Sequence, residues 1–506
     1  MQLSPSETSS VDPLQLSAVE LARAIAQQRL SASAVVERFI QRIEEVDPDL
    51  NAIVFKRYDA ARREAREADQ RVRAGGPLPP LLGVPITLKE CIDLAGSPST
   101  FGIDGRSAPV QADAAVVSRI RDAGAIVLAK TNVSQLLSFV EAANPVFGRT
   151  NHPLSKERSC GGSSGGEGAI VAMRGSPLGF GTDVGGSIRV PAASCGLVGF
   201  KPTAGRCLDV GRVAMPPTQQ TITSQIGVLA RHVDDVALGL RVAIGSGDDR
   251  RGPLAALDEI AIGSLRFVVH EDDGFLMPCP AARRALREAI AYLTGLGAEV
   301  VQVALPDRQR VQHLFLRILS CEKLAHIRRS LGGSRMDLGI QQMVQVAGAP
   351  SWLIASILRL SGRKKALQQV RSFGDGSADQ YFQAAEQLEA LRAQALAAMS
   401  GADIVLSPAM PLPALRHGAT QELSTLGSYT TYWNALGWPA GVVPITTVRA
   451  DEESDRPASR DPFERTARET ERGSAGLPIA VQIAAAPHQD HIALAALRAL
   501  EQASQE

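Results

Sequence analysis

Apolar residues near the start of the chain recur at helical spacing. Leu16 to Gln28 predicts a helix opened by Ser17 and Glu20, whose side chains can each satisfy the other's unpaired backbone N–H. From Ala34, the positions Val35, Val36, Phe39, Ile40, Ile43 and Val46 predict a second helix. The polar run Lys56 to Arg73 predicts a third, on the surface, stopped by Gly75-Gly76-Pro77. At Gly83 the period changes to two, with Val84, Ile86 and Leu88 facing one way and Thr87 and Lys89 the other. A helix over Asp113 to Gly124 then leads into a strand, Ala125 to Lys130, and this order predicts an α/β fold.

Further strands are expected at Gly196–Phe200, Leu265–Val269, Glu299–Leu305, Ile404–Leu406 and Gly441–Pro444. Helices are expected at Asp234–Ile244 and Ala281–Leu296, and again from Leu305 to Met399. The segment Leu265 to Leu305 therefore reads as a β-α-β unit. Gly245 to Pro253, which contains Asp248-Asp249-Arg250-Arg251, reads as an exposed connector. Arg449 to Gly476 is charged and reads as a solvated loop holding a helix.

Composition narrows the functional classes. The chain has 506 residues and balances 53 basic against 53 acidic side chains, so it carries no overall electrostatic footprint for nucleic acid. Six cysteines are scattered without a Cys-x-x-Cys pair, which argues against a disulfide framework or zinc site and for a reducing, cytoplasmic setting. The polar run Met1 to Leu14 does not resemble a signal peptide, and no apolar run approaches the ~18 residues that span a bilayer. His152, His232, His417 and His488 show no metal-binding spacing.

The chemistry is concentrated between Cys160 and Pro191. This stretch reads Cys-Gly-Gly-Ser-Ser-Gly-Gly-Glu-Gly, then a small apolar segment, then Gly-Thr-Asp-Val-Gly-Gly-Ser-Ile-Arg-Val-Pro. Backbone so poor in side chains can bring main-chain N–H donors close to a reacting group, with Ser163 and Ser187 among them. G-x-S-x-G occurs twice, through Ser163 and Ser164, but a nucleophile elbow needs an apolar strand running into it. Here the preceding residues, His152 to Ser159, read as a loop. A lysine is the alternative base if burial lowers its pKa. Lys89, at a strand end between Leu88 and Ile92, is the best placed, against the plainer reading of a strand-end lysine reaching to water.

Gly161 to Ala169 and Gly181 to Pro191 together resemble the signature of the amidase signature family, and Thr87-Leu88-Lys89-Glu90-Cys91 is similar to its lysine segment. Asn144 to Gly148 and Tyr429 to Val448 resemble the fatty-acid amide hydrolase branch, and the likeness runs from about Leu81 to Pro487. It implies one α/β domain over 1–506, with a large twisted mixed sheet flanked by helices on both faces. Within it, 1–75 would be N-terminal helices, 81–245 the catalytic core, 340–372 a hydrophobic cap and 449–476 a charged surface loop. It further implies a serine amidohydrolase without cofactor or metal. Ser187 would be the nucleophile, Ser163 a bridging serine on a cis peptide after Gly162, and Lys89 the base. The amides of Val184, Gly185, Gly186 and Ser187 would hold the oxyanion, with Leu137 on the acyl side or simply in the core. Asp183 and Arg189 read as structural, Ser164 as a support for the glycine loop, and Cys91, Cys160, Cys195 and Cys207 as small buried side chains.

The implied substrate is a hydrophobic acyl or aryl amide, with esters and carbamates as further substrates. Pro350 to Leu360, followed by Arg363-Lys364-Lys365, has two readings: a cap that touches a membrane peripherally, or a helix in the core or a homodimer interface. Two other functions remain open at this level. One is an amidotransferase-type subunit releasing ammonia from glutamine or asparagine; the other is a scaffold that keeps the fold without catalysis.

Overall fold

Local sequence accounts for where the first helices begin. In the computed structural model, which describes residues 11–207, 219–245, 253–361 and 363–503, Ser17 caps the helix Ala18–Ala26. Its hydroxyl accepts from Glu20 N at 3.1 Å, and its own N–H donates to the Glu20 carboxylate at 2.8 Å. The second helix, Ala32–Leu50, starts earlier than its apolar pattern because Ser31 caps it. The third, Tyr58–Ala74, buries Ala61, Ala65, Ala68 and Val72 and leaves its charged side outward. The connector 245–253 lies largely outside the described residues, as do the first ten.

Among the described residues, fifteen strands follow in chain order. They are β1 Ile53–Lys56, β2 Pro85–Lys89, β3 Ile126–Thr131, β4 Ala143–Asn144, β5 Gly148–Arg149, β6 Asn151–His152, β7 Ser155–Ser159 and β8 Leu178–Asp183. After them come β9 Val198–Lys201, β10 Gln225–Ala230, β11 Arg266–Val269, β12 Glu299–Val300, β13 Ile404–Pro408, β14 Ala440–Thr447 and β15 Pro478–Ala485. Eleven of them form one mixed sheet in the order β1-β3-β2-β8-β10-β9-β14-β15-β13-β11-β12. Strands β3, β2 and β8 run parallel at one end, and β13, β11 and β12 at the other. Every residue of the parallel strands β2, β3 and β8, and of the antiparallel β10 beside them, is buried, so this part of the sheet is covered on both faces.

Three expectations need correcting. Glu299 to Leu305 does not continue as a strand: only Glu299 and Val300 pair, at the sheet edge beside β11, and both are exposed. The residues before Gly161 are not all loop, because β7 pairs with β6 in a small hairpin turned at Pro153-Leu154. That hairpin lies outside the main sheet, so the elbow argument is unaffected. The charged interval 449–476 is only partly solvated. Its helix Pro462–Glu471 buries Phe463, Ala467, Thr470 and Glu471, and Arg456 pairs with the Glu471 carboxylate at 2.7 Å.

Candidate active site

The carboxyl ends of β2 and β8 lie side by side, because these strands pair in parallel, with Leu88 opposite Phe180. Lys89 closes β2, and Thr182 is the next-to-last residue of β8. The Lys89 amine is fully buried and lies 2.7 Å from Ser163 Oγ, 2.8 Å from Thr182 Oγ1 and 3.3 Å from the Thr182 carbonyl. The plain alternative, a lysine reaching to water, is therefore excluded. Burial is the largest influence on this amine and outweighs the nearby Cys91, Asp183, Glu167 and Glu90, pulling its pKa down to about 8. With two hydrogens directed to Thr182, a neutral amine has its lone pair left for the Ser163 hydroxyl.

Glu167 is one of the acids near this amine and acts against its loss of charge. It is buried, and its two oxygens accept from Thr87 Oγ1 at 2.6 Å and Thr131 Oγ1 at 2.8 Å. Burial pushes its pKa up to about 8, against the pull of the Thr87 and Thr131 hydroxyls and the Lys89 amine.

Ser163 precedes the helix Gly165–Ala172, and the Gly162–Ser163 peptide is cis. Gly162 is needed for close approach: a Cβ there would meet Glu141 N at 2.5 Å. Ser187 lies between β8 and the helix Arg189–Cys195, and its carbonyl accepts from Ser164 N at 3.2 Å, which joins the two serine loops. No hydrogen bond connects the Ser187 hydroxyl to Ser163 among the described residues. Ser164 donates its own hydroxyl to the Thr182 carbonyl at 3.4 Å.

Asp183 and Arg189 form a fully buried pair, with Nε and Nη2 each 3.0 Å from the carboxylate. Burial alone would raise the Asp183 pKa, but the Arg189 guanidinium and Asn434 hold it well below the usual carboxylate range. Arg189 also donates to the Thr430 carbonyl at 3.0 Å and to Gln482 Oε1 at 2.8 Å. Thr430 Oγ1 in turn donates to the Gly185 carbonyl at 2.7 Å. At Gly186, φ is +122° and a Cβ would come within 2.2 Å of Thr430 Oγ1, so only glycine fits.

The resemblance places Gly186 among the oxyanion donors. Its N–H instead donates to Asp183 Oδ1 at 2.7 Å, because the carboxylate caps the turn from inside. The amides of Val184, Gly185 and Ser187 have no intramolecular acceptor among the described residues. Val184, Gly185, Ser187, Ser163 and Thr182 all border a cavity of 530 Å³, and Leu137 lines it too. The rest of its wall includes Leu136, Phe139, Phe315, Leu316, Leu319, Met343, Ile354 and Leu358. Thr182, Glu167, Thr430, Thr431, Asn434 and Gln482 were not singled out from the sequence, and only Thr182 and Glu167 lie inside the glycine-rich blocks.

A sequence profile of the Amidase family matches residues 34–494. The chain belongs to this family. The match begins well before Leu81 and so takes in the second N-terminal helix. Among curated proteins, fatty-acid amide hydrolase 1 of Sus scrofa is 32% identical, over 95% of this chain and 84% of its own length. A glutamyl-tRNA(Gln) amidotransferase subunit of Acidothermus cellulolyticus is 33% identical, over 80% of this chain and 82% of its own. A solved fatty acid amide hydrolase structure superposes with a TM-score of 0.84 at 26% identity, covering all of this chain and 87% of that one. This member of the Amidase family is thus an amide-hydrolysing enzyme with the family's α/β fold.

Proposed function

We propose that the enzyme hydrolyses hydrophobic acyl or aryl carboxamides to acid and amine through an acyl-enzyme on Ser187. The observation that carries this reading is the buried Lys89 amine, its pKa brought down to about 8, 2.7 Å from Ser163 at the edge of an apolar cavity that Ser187 shares. The relay requires the Ser187 hydroxyl to reach Ser163, whose loop is tied to Ser187 through the Ser164 N–H and the Ser187 carbonyl. Lys89 then takes the Ser163 proton as Ser163 takes that of Ser187, and Ser187 attacks the carbonyl. The free amides of Val184, Gly185 and Ser187 face the negative charge that develops on oxygen, a contribution worth ~3 kcal/mol for one donor. The relay run backwards protonates the leaving amine, and water releases the acid. Esters and carbamates present the same carbonyl geometry to these donors and are hydrolysed as side substrates.

A substrate panel tests this. Long-chain acyl amides and p-nitroanilides are expected to be cleaved with kcat/KM at least ~10² above that for free glutamine, since each buried methylene contributes ~0.8 kcal/mol. The likeness to an amidotransferase subunit favours the second reading, ammonia release from a primary carboxamide, and preference for glutamine in the panel would establish it.

The cap helix Ser351–Leu360 directs Ile354 and Leu358 to the cavity, while Trp352 is 70% and Leu360 90% exposed. An apolar outer face beside Arg359 and Arg363 fits peripheral contact with a lipid surface, through which apolar substrates enter. No single helix among the described residues is long and apolar enough to cross a membrane. Leu338–Gly348 and Trp352–Leu360 pass that test only as a pair bent by 120°. Wild type is expected to float with anionic liposomes and the Trp352→Glu, Leu353→Glu variant to stay in the buffer. Equal partition of both into buffer rejects the contact, and a change in sedimentation alone assigns the face to a second copy of the chain.

A further inference from the structure

One polar side chain in the cavity wall has no part in the proton relay. Gln312 extends from the helix Arg308–Leu319, which also supplies Phe315, Leu316 and Leu319 to the cavity. It is buried, and the Thr431 hydroxyl donates to its Oε1. Thr431 in turn lies against the nucleophile loop, since a Cβ on Gly185 would come within 3.2 Å of its Cγ2 and 3.3 Å of the Phe315 ring. Gln312 is thus one residue removed from the Val184–Ser187 donors, in the same cavity.

An amide whose oxygen is held by a donor has its NH2 group turned the other way. With Oε1 taken by Thr431, the Nε2 hydrogens of Gln312 have no acceptor among the described residues. These hydrogens are open to the cavity, where an acceptor entering with the substrate can take them in place of water. A substrate oxygen close to the reacting carbonyl would do so.

We propose that Gln312 is a specificity-determining residue that donates an N–H to a second oxygen on the substrate, near the scissile carbonyl. The preferred substrate is then a hydrophobic amide bearing an ether, hydroxyl or further carbonyl oxygen near the reacting bond, rather than a plain alkyl amide. This rests on the amidohydrolase reading above and adds to it the chemical class of the substrate.

Two matched pairs test it. In the first, the N-(2-methoxyethyl) and N-butyl amides of one fatty acid differ by a single oxygen on the amine side. In the second, the anilides of an alkoxyacetic acid and of the equally long alkanoic acid differ by one on the acyl side. Wild type is expected to favour the ether member of at least one pair by about tenfold in kcat/KM, the worth of one neutral hydrogen bond. In Gln312→Leu that ratio falls to about one; in Gln312→Glu, which presents only acceptors, it inverts. Labelling of Ser187 by a fluorophosphonate at the wild-type rate identifies variants whose site has folded, and either variant alone suffices. Hydrolysis of all four compounds by wild type without preference, or an unchanged ratio in a labelled variant, overturns the proposal and leaves the amidase reading standing. Hydrolysis of none, with no labelling, overturns that reading instead.

Discussion

Ser187→Ala is expected to lower amide hydrolysis by ~10⁴-fold or more, because a nucleophile and its base act as a unit and losing either removes most of the catalysis. The residue borders the cavity, and its hydroxyl has no hydrogen-bond partner among the described residues. Alanine therefore leaves no buried group unpaired, and the change in stability should stay within ~0.5 kcal/mol. Fluorophosphonate labelling followed by peptide mass analysis should place the adduct on Ser187 in wild type and find none in the variant. A folded Ser187→Ala protein that keeps more than about one part in a hundred of the activity would contradict the assignment of the nucleophile.

The second large effect is at Lys89. Only the uncharged amine accepts a proton, and with its pKa brought from 10.5 down to about 8, roughly a tenth of the enzyme is in that form at pH 7. The sign follows directly. kcat/KM should rise about tenfold per pH unit on the acid side of pH 8 and level off above it. Lys89→Ala should lose ~10³-fold at neutral pH and lose that alkaline rise. It should also be less stable by a few kcal/mol, roughly, since Ser163 Oγ and Thr182 Oγ1 would lose their buried partner and a cavity would open. Lys89→Met restores most of the volume, so activity missing from that folded variant reports the base and not the fold. Full amidase activity of Lys89→Ala at neutral pH would end the lysine assignment.

Much of this site was legible because its parts are local in sequence. The capping box at Ser17, the alternation through β2 and the glycine blocks each announce themselves within a dozen residues. Lys89 could be nominated from its strand-end position, and its burial follows from β2 being covered on both faces. What could not be read is what crosses the chain. Arg189 meets Thr430, Asn434 and Gln482 over separations of more than two hundred residues, and no spacing rule links them. Gly186 looked like a free donor because nothing local shows that the Asp183 carboxylate turns back into its own loop. Gln312 resembles any other polar residue on an amphipathic helix until Thr431 is seen to fix its orientation. Glu299 to Leu305 misled for the opposite reason: its alternation is genuine, but at the sheet edge only two residues find a partner strand.

The ties of Arg189 to Thr430, Asn434 and Gln482 bear on how this enzyme comes into being. A nascent chain that has just emerged past residue 400 already contains Lys89, Ser163 and Ser187, yet Arg189 still lacks three of its partners. The brace on the nucleophile loop is therefore complete only once segments lying more than two hundred residues further along the chain have docked against it.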